Sequence, residues 1–470
     1  MALGRRDDER QREFWIPTQN LAAAPRHVFY ERLNRLLADA DFDHWIEGRC
    51  QEYYAGGGRP SIPPGTFFRM LLVGYFEGID SQRGIAWRCA DSLSLKKFLG
   101  YDVGAETPDH SSLSRIRQRL PREVFDDVFR FVLAIVNDHG LMDAQTVGVD
   151  STTLEANAAM KSIIRKDTAE NWEEYVTRLA AEDGVEIASK PDLIRYDKDR
   201  NRQGKKKVSN DDWASPSDSD ARIAKMKDGA THLAYKAEHV VDLKTEAILA
   251  AEIYHANQAD TATLTESLTA AQAHLEAAEI YQDIEQAAAD KGYHKAETLA
   301  ACAELGCFGV TPYIPEPESR YERRWTDKPE EQRRAVYNNR RRTGRDYGKG
   351  LQRRRSEVVE RTFAHVCETG GARRSWLRGI EKVAKRYLMQ ADAHNLGLVL
   401  RKLLGAGKPR EFAAWRGSAL WLWAALVALL RRAGQHLAPQ LVQAPVVGFS
   451  APIPPRALDR TETRRISTGC

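Results

Sequence analysis

From Thr146 onward the hydrophobic period of this chain alternates between two and about 3.6, which confines it to an α/β fold. TVGVD reads as a buried strand, HLAYKAEHVVDL as a second, and DLKTEAILAAEIYHA as a turn at Leu243–Glu246 leading into a third. A helix begins near Asp260 or Thr261 in DTATLTESLTAAQAHLEAA. A small-residue run ends at Asp290 in EQAAADKGYHKAETLAACAELG, with a further helix from near His294. CFGVTPYIP supplies one more strand and RRRSEVVERTFAHV a last helix. Strand, hairpin partner, helix, strand, helix, strand, helix predicts a mixed sheet flanked by helices. No internal repeat is present.

One residue is out of place in that pattern. The β-branched run of TVGVDSTTLEANA ends at Asp150, followed at once by Ser151, Thr152 and Thr153. Aspartate is depleted in strands and costly to bury alone. Two readings are open. Asp150 or Ser151 caps a helix, or Asp150 is a metal-binding carboxylate at the carboxyl edge of the sheet. The second reading needs partners elsewhere in the chain.

At 470 residues the chain exceeds one ordinary core. Residues 1–135 are helical in pattern, and residues 136–404 carry the α/β pattern. The latter include a polar insertion at about 155–228 and an Arg-rich one at about 315–350. Residues 405–470 read as a C-terminal helix and a poorly ordered tail from Gln435. The six cysteines form no CxxC pair, which argues against structural zinc and for reduced thiols in a cytoplasmic protein. MALGRRDDERQREFW lacks the apolar centre of a secretion signal. The most apolar run, SALWLWAALVALL, is shorter than the about 20 residues of a spanning helix. No membrane association is expected, and the aromatic helix around Trp415, Trp421 and Trp423 reads as a packing or oligomerisation element.

The helical region carries FYERLNRLLADADF, with Phe29, Leu33, Leu36 and Leu37 on one stripe, and TFFRMLLVGYFEG, apolar on most sides. In TPDHSSLSRIRQRLP, Thr107 and Asp109 supply the turn and cap, and Leu113, Ile116 and Leu120 share a face. Arg115, Arg117 and Arg119 are then expected to point outward. A short basic helix after a tight turn fits a helix-turn-helix DNA reader, and it fits a plain solvated face as well. The net charge of +4 conceals a second basic region. Twelve arginines, Arg340, Arg341 and Arg342 among them, stand between Arg320 and Arg355 against five carboxylates. Such a cluster is either a polyanion footprint or a solvated loop.

Asp150 and Asp290 each close a strand, and neighbouring strand ends lie about 4.8 Å apart, so both can share cations. A helix across that edge can supply a third carboxylate. In EVVERTFAHV the core stripe is Val359, Phe363 and Val366. Glu360 borders it, whereas Glu357 lies four residues from Arg353 and from Arg361 and reads as a surface pair. Glu360 is therefore the third candidate. Two Mg²⁺ about 3.5–4 Å apart, held by hard oxygens, stabilise both the attacking and the leaving oxygen of a phosphoryl transfer.

GVDST closing one strand, ADKGYH closing another and VVERTFAHV on the late helix, behind FYERL, FFRMLLVGYFEGI and TPDHSSLSRIRQRL, resemble the DDE transposases of bacterial insertion sequences. The resemblance runs in order from about residue 25 to about residue 400. It implies an RNase H-like catalytic core preceded by an all-α, helix-turn-helix-like domain. It also implies Asp150, Asp290 and Glu360 as the catalytic, metal-binding triad for two Mg²⁺ (or Mn²⁺). The implied activity is DNA strand cleavage and strand transfer. Its substrates would be double-stranded DNA, terminal inverted repeats and target, handled by a homodimer in a bacterial, nucleoid-associated setting. DNA contacts are expected at Arg115, Arg117, Arg119, Arg340, Arg341, Arg342, Arg361, Arg373 and Arg374. Tyr293 and His294 either touch the scissile strand or belong to the core, and Trp325 and Tyr337 are candidates to stack on a distorted base. One departure stands out. Many relatives carry a lysine seven residues after the glutamate, where this chain has Cys367, and its nearest basic residues are Arg373 and Arg374. The competing expectations are a catalytically inactive or domesticated DNA-binding protein of the same fold, and a nuclease that cuts without joining.

Overall fold

The computed structural model of the chain describes residues 25–411, apart from 56, 58–60, 205–208, 227–228, 306–308 and 319–323. The aromatic helix around Trp415, Trp421 and Trp423, the tail from Gln435, and Arg320 and Arg323 lie outside those residues. All the described residues fall in one unit, 1–415.

Among the described residues seven α-helices come first: α1 (Pro25–Asp39), α2 (Phe42–Cys50), α3 (Pro64–Glu77), α4 (Gln82–Ala90), α5 (Leu93–Phe98), α6 (His110–Arg119) and α7 (Arg122–Asp138). Helix α3 has Pro64 in its first turn and is buried on nearly all sides, as its apolar sequence predicts. Helix α6 opens on Asp109, whose carboxylate accepts from the Ser112 N–H at 2.7 Å. Helix α7 turns one broad stripe inward, Val124, Val128, Val132, Leu133 and Val136 included.

The sheet then begins with β1 (Thr146–Glu155). The polar insertion follows as β2 (Ile164–Arg165), α8 (Trp172–Glu182), α9 (Lys190–Arg202), β3 (Trp213–Ala214) and β4 (Arg222–Lys225), where β2 and β3 form a small separate ribbon. Next come β5 (Thr231–Asp242), β6 (Ile248–His255), α10 (Asp260–Ala277), β7 (Gln286–Ala289), α11 (Ala296–Cys302) and β8 (Thr311–Tyr313). Helices α12 (Glu330–Thr343), α13 (Asp346–Phe363) and α14 (Ile380–Leu404) complete the unit, with a π-helical turn at Ala364–Thr369 between the last two.

The main sheet runs β4-β5-β1-β7-β8, with β6 sharing the outer edge of β5. Strands β6, β5 and β1 pair antiparallel, and β1, β7 and β8 pair parallel. This is the mixed sheet flanked by helices, behind an all-helical region, that the chain's pattern predicts. The turn at Leu243–Glu246 joins β5 to β6 as expected.

Helix α14 holds the two layers together. Every residue from Tyr387 to Leu400 is buried, because α7 and α3 pack on one side of the helix and β6 on the other. Asn395 gives the contact its register. Its Oδ1 accepts from the Ile248 N–H and its Nδ2 donates to the Ile248 carbonyl, both at 2.9 Å. That amide completes the edge of β6 where no further strand pairs.

Two expectations need correction. Strand β1 does not stop at Asp150. Its parallel partner β7 leaves after Val149, but β5 keeps pairing from Asp150↔His239 to Glu155↔Ala234, so Asp150 caps no helix. Helix α10 begins at Asp260 as expected, and the Asp260 carboxylate accepts from Ser151 on the sheet. Arg117 does not point outward with Arg115 and Arg119. It lies four residues after Leu113 and three before Leu120, on their stripe, and is half-buried.

Candidate active site

Where β7 leaves β1, two carboxylates come side by side. Val149↔Ala289 is the last parallel pair, so Asp150 and Asp290 take the next register positions on neighbouring strands. The chain turns at Asp290 because its Oδ1 accepts from the Gly292 N–H at 2.7 Å and starts a short 3-10 turn, Lys291–Tyr293.

Asp150 projects to the face covered by α13, opposite His239. Gly148, two residues earlier on that face, admits the helix. A Cβ on Gly148 would meet the Val359 side chain at 2.8 Å and the Arg355 side chain at 3.1 Å. The close approach delivers Arg355, whose Nη1 donates to Asp150 Oδ2 at 2.8 Å, while the Ser151 N–H donates to Oδ1 at 2.8 Å. Burial raises the Asp150 carboxyl above its ordinary value; Arg355 and the Ser151 N–H pull it down, and Asp290 pushes it up again.

Helix α13 crosses the strand ends in sequence. Gln352 donates to the Ala289 carbonyl at 3.3 Å, Arg355 reaches Asp150, and Thr362 Oγ1 lies 3.0 Å from His239 Nδ1. His239 also bonds the Tyr387 hydroxyl at 2.9 Å and stacks on Phe363. Burial holds its pKa far below the usual histidine value, which keeps the ring neutral.

On the other face a buried polar network supports the Asp290 turn. Tyr293 donates to Glu238 Oε2 at 2.9 Å, and Thr263 donates to the same oxygen at 2.8 Å. Lys236 Nζ reaches Thr263 at 2.8 Å and Asp260 Oδ1 at 3.2 Å, and Ser151 Oγ donates to that Asp260 oxygen at 3.0 Å. Tyr293 is thus a core residue.

The third candidate, Glu360, is exposed on the flank of α13, and among the described residues its carboxylate has no hydrogen-bond or ion-pair partner. Glu357 is exposed too and pairs with Arg361 at 2.6 Å, as its spacing suggests. Among the described residues no group of three or more His, Cys, Asp or Glu side chains is arranged to hold a metal ion. Asp150 and Asp290 are still hard oxygen donors side by side whose charges oppose one another, which suits a divalent cation.

The arginines divide by partner. Arg115, Arg119 and Arg341 are exposed without a carboxylate partner among the described residues, and Arg119 lies over the Tyr54 ring. Arg340 pairs with Glu316, Arg361 with Glu246 and Glu357, and Arg373 with Glu368. Arg342 turns inward, where burial lowers its pKa, and donates to the Pro312 carbonyl at 3.2 Å. Arg373 also donates to Thr152 Oγ1 at 2.9 Å, and Arg374 lies over the Trp376 ring. Cys367 is buried in the π-helical turn. Tyr337 is exposed and pairs loosely with Trp325.

Sequence reasoning missed Arg355, Lys236, Glu238 and Asp260. Arg355 carried a signal, since it stands four residues before Val359 and continues the core stripe with a charge. Lys236 and Glu238 alternate along a strand whose two faces are both covered, which the sequence alone does not announce.

Among the described residues no helix is long and apolar enough to cross a membrane. Comparison with curated proteins and with solved structures finds no match. Two family models do match: Transposase domain (DUF772) over residues 18–119 and Transposase DDE domain over residues 138–396. The second covers more than half of the chain, including both strand-end aspartates and the late helix, and the chain therefore belongs to the DDE transposase family of insertion sequences.

Proposed function

We propose that this transposase cuts a DNA phosphodiester at each end of its element and joins the freed end to target DNA, with Asp150, Asp290 and Glu360 as the acidic triad. In the first step a water oxygen bonds to phosphorus, the bond to the 3′ oxygen breaks, and that oxygen takes up a proton. In the second, the freed 3′-OH attacks a target phosphorus and expels a target 3′-OH. Two Mg²⁺ or Mn²⁺ ions would supply the positive charge that steadies the attacking and leaving oxygens. Asp150 and Asp290 would hold those ions at the strand ends, and Glu360 would complete the set from α13. Arg355 orients Asp150, and the network of Tyr293, Glu238, Lys236 and Asp260 fixes the Asp290 turn.

Arg340, Arg341, Arg361, Arg373 and Arg374 neutralise backbone phosphates without reading sequence, a role from which the inward-turned Arg342 is withdrawn. Arg115 and Arg119 on α6 are the candidate readers of the terminal inverted repeats. A homodimer that joins two ends, acting on the bacterial nucleoid in the cytoplasm, fits this chemistry. The observation that carries the reading is that Asp150 and Asp290 stand side by side, each next after the last pair Val149↔Ala289, where β7 parts from β1.

The test uses purified chain, Mg²⁺ and a labelled duplex carrying the inverted repeats that flank the reading frame. Asp150→Asn should lower cleavage at least about a hundredfold and leave duplex binding within about twofold. Cleavage by D150N at the wild-type rate overturns the assignment. Binding without cleavage by the wild type would point to a DNA-binding protein that has lost catalysis, and nicking without joining to a nuclease.

A further inference from the structure

Between the helical layer and α14 lies a cavity of about 330 Å³ that the chemistry above does not use. Its walls include Ile85 and Phe125, and its polar lining includes Arg117, Arg386, Gln82 and Gln390, the last with a buried Oε1 that has no donor among the described residues. The charges are unbalanced. Arg117 has no ion-pair or hydrogen-bond partner among the described residues, and its Nε is buried. The Gln82 Nε2 is a second buried donor without an acceptor, although the Oε1 of that amide accepts from Ser114 Oγ at 2.5 Å. Arg386 spends its guanidinium on the carbonyls of Arg374, at 3.2 Å, and Gly371, at 2.9 Å. The one acid lining the cavity, Asp80, accepts from Trp376 Nε1 at 2.7 Å. Burial and the neighbouring Arg386 both lower the pKa of Arg117. Such a guanidinium costs the free protein stability, and an incoming anion would compensate it.

The position of the cavity names the anion. The segment Arg373–Trp376 runs beside the far end of β1. The Glu155 N–H donates to the Arg373 carbonyl at 3.0 Å, the Ser375 N–H donates to the Glu155 carbonyl at 2.9 Å, and Asn157 Nδ2 donates to the Trp376 carbonyl at 2.9 Å. Glu155 lies five steps along the strand from Asp150, about 16 Å, or roughly five base steps of DNA at 3.4 Å each. Arg373 at Thr152 and Arg374 at Glu155 lie along that path, each in an ion pair, with Glu368 and with Glu155.

We propose that the cavity seats one unpaired nucleotide of the DNA strand, its phosphate on Arg117 and its base against the apolar wall near Trp376. The volume suits a small ligand pocket, and the mix of apolar wall and unmatched donors suits a base with its phosphate. That the occupant is DNA, and its distance from the scissile phosphate, rest on the function proposed above; the cavity and its unpartnered Arg117 do not.

The test is fluorescence anisotropy of the full chain, without divalent metal, on a fluorescein-labelled thymidine oligonucleotide and on a fully paired duplex. Arg117→Gln should weaken single-strand binding about tenfold. It should also reduce the slope of log affinity against log salt by about 0.7, leave duplex affinity within about twofold, and leave Tm unchanged or higher. Arg117→Lys should recover most of the affinity. Single-strand binding by R117Q at the wild-type level overturns the proposal. So does an equal loss on single strand, duplex and a heparin fragment, which would mean a general cationic surface. Should R117Q lower Tm, Gln82→Leu carries the test, with a loss of at least about threefold on single strand alone expected. Failure here leaves the D150N cleavage result untouched, and cleavage by D150N would leave this binding result untouched.

Discussion

Arg355 donates from Nη1 to Asp150 Oδ2 at 2.8 Å, so the first carboxylate of the site already has a cationic partner supplied by the helix that covers it. Both side chains are largely buried, and removing one member of such a pair leaves the other uncompensated. Arg355→Met should cost about 3 kcal/mol in denaturant unfolding at neutral pH. The double variant with Asp150→Asn should cost less than the sum of the two single changes. Mg²⁺ should raise the Tm of R355M more than that of the wild type, because the ion replaces the lost charge. Equal Mg²⁺ effects on both proteins would remove Asp150 from the metal site.

The two glutamates of α13 are separable by function. Glu360→Gln should abolish cleavage and leave stability unchanged, since its carboxylate is exposed and unpartnered among the described residues. Glu357→Gln should leave cleavage intact and cost at most about 0.5 kcal/mol from its pair with Arg361. A reversed pattern in the cleavage assay would move the third acid to Glu357.

Asn395 is a structural prediction independent of catalysis. Asn395→Leu leaves a buried N–H and carbonyl of Ile248 unpaired, which should cost about 2–4 kcal/mol in urea unfolding. Asn395→Asp should be no better at neutral pH, because a carboxylate cannot donate to the Ile248 carbonyl.

Asp126, on α7, gives a pH dependence with a definite sign. Burial, more than Arg122 can offset, pushes its carboxyl up to about 6. The unfolded chain then loses the proton first, so folded stability falls as pH rises from about 4 to about 6 and this group adds nothing beyond. Asp126→Asn should remove that fall. Relative to the wild type it should gain about 1–3 kcal/mol at pH 7 over its value at pH 4, read from paired urea titrations. A constant difference across that range would show that Asp126 titrates normally.

Much of this architecture was readable before any coordinates. The hairpin at Leu243–Glu246, the Asp109 cap and the inward stripe of Val359, Phe363 and Val366 depend on short-range period and local hydrogen bonding, which a sequence displays directly. The juxtaposition of Asp150 and Asp290 needed only the inference that two strands were neighbours. What escaped depends on who covers a surface. The length of β1 is set by β5, not by its own residues, and Lys236 and Glu238 look solvent-facing until α10 is laid over them. Arg117 belongs to the same class, because its stripe is apolar on either side and only α14 shows that the stripe is covered.

From Tyr387 to Leu400 helix α14 has no face of its own to show to water, since each flank is walled by a different layer of the molecule. An engineer who severed the helical region from the sheet would therefore inherit two sticky halves, each baring a long oily seam. The helical region and the sheet are thus bound along one shared axle, and neither can shed it without unsealing the other.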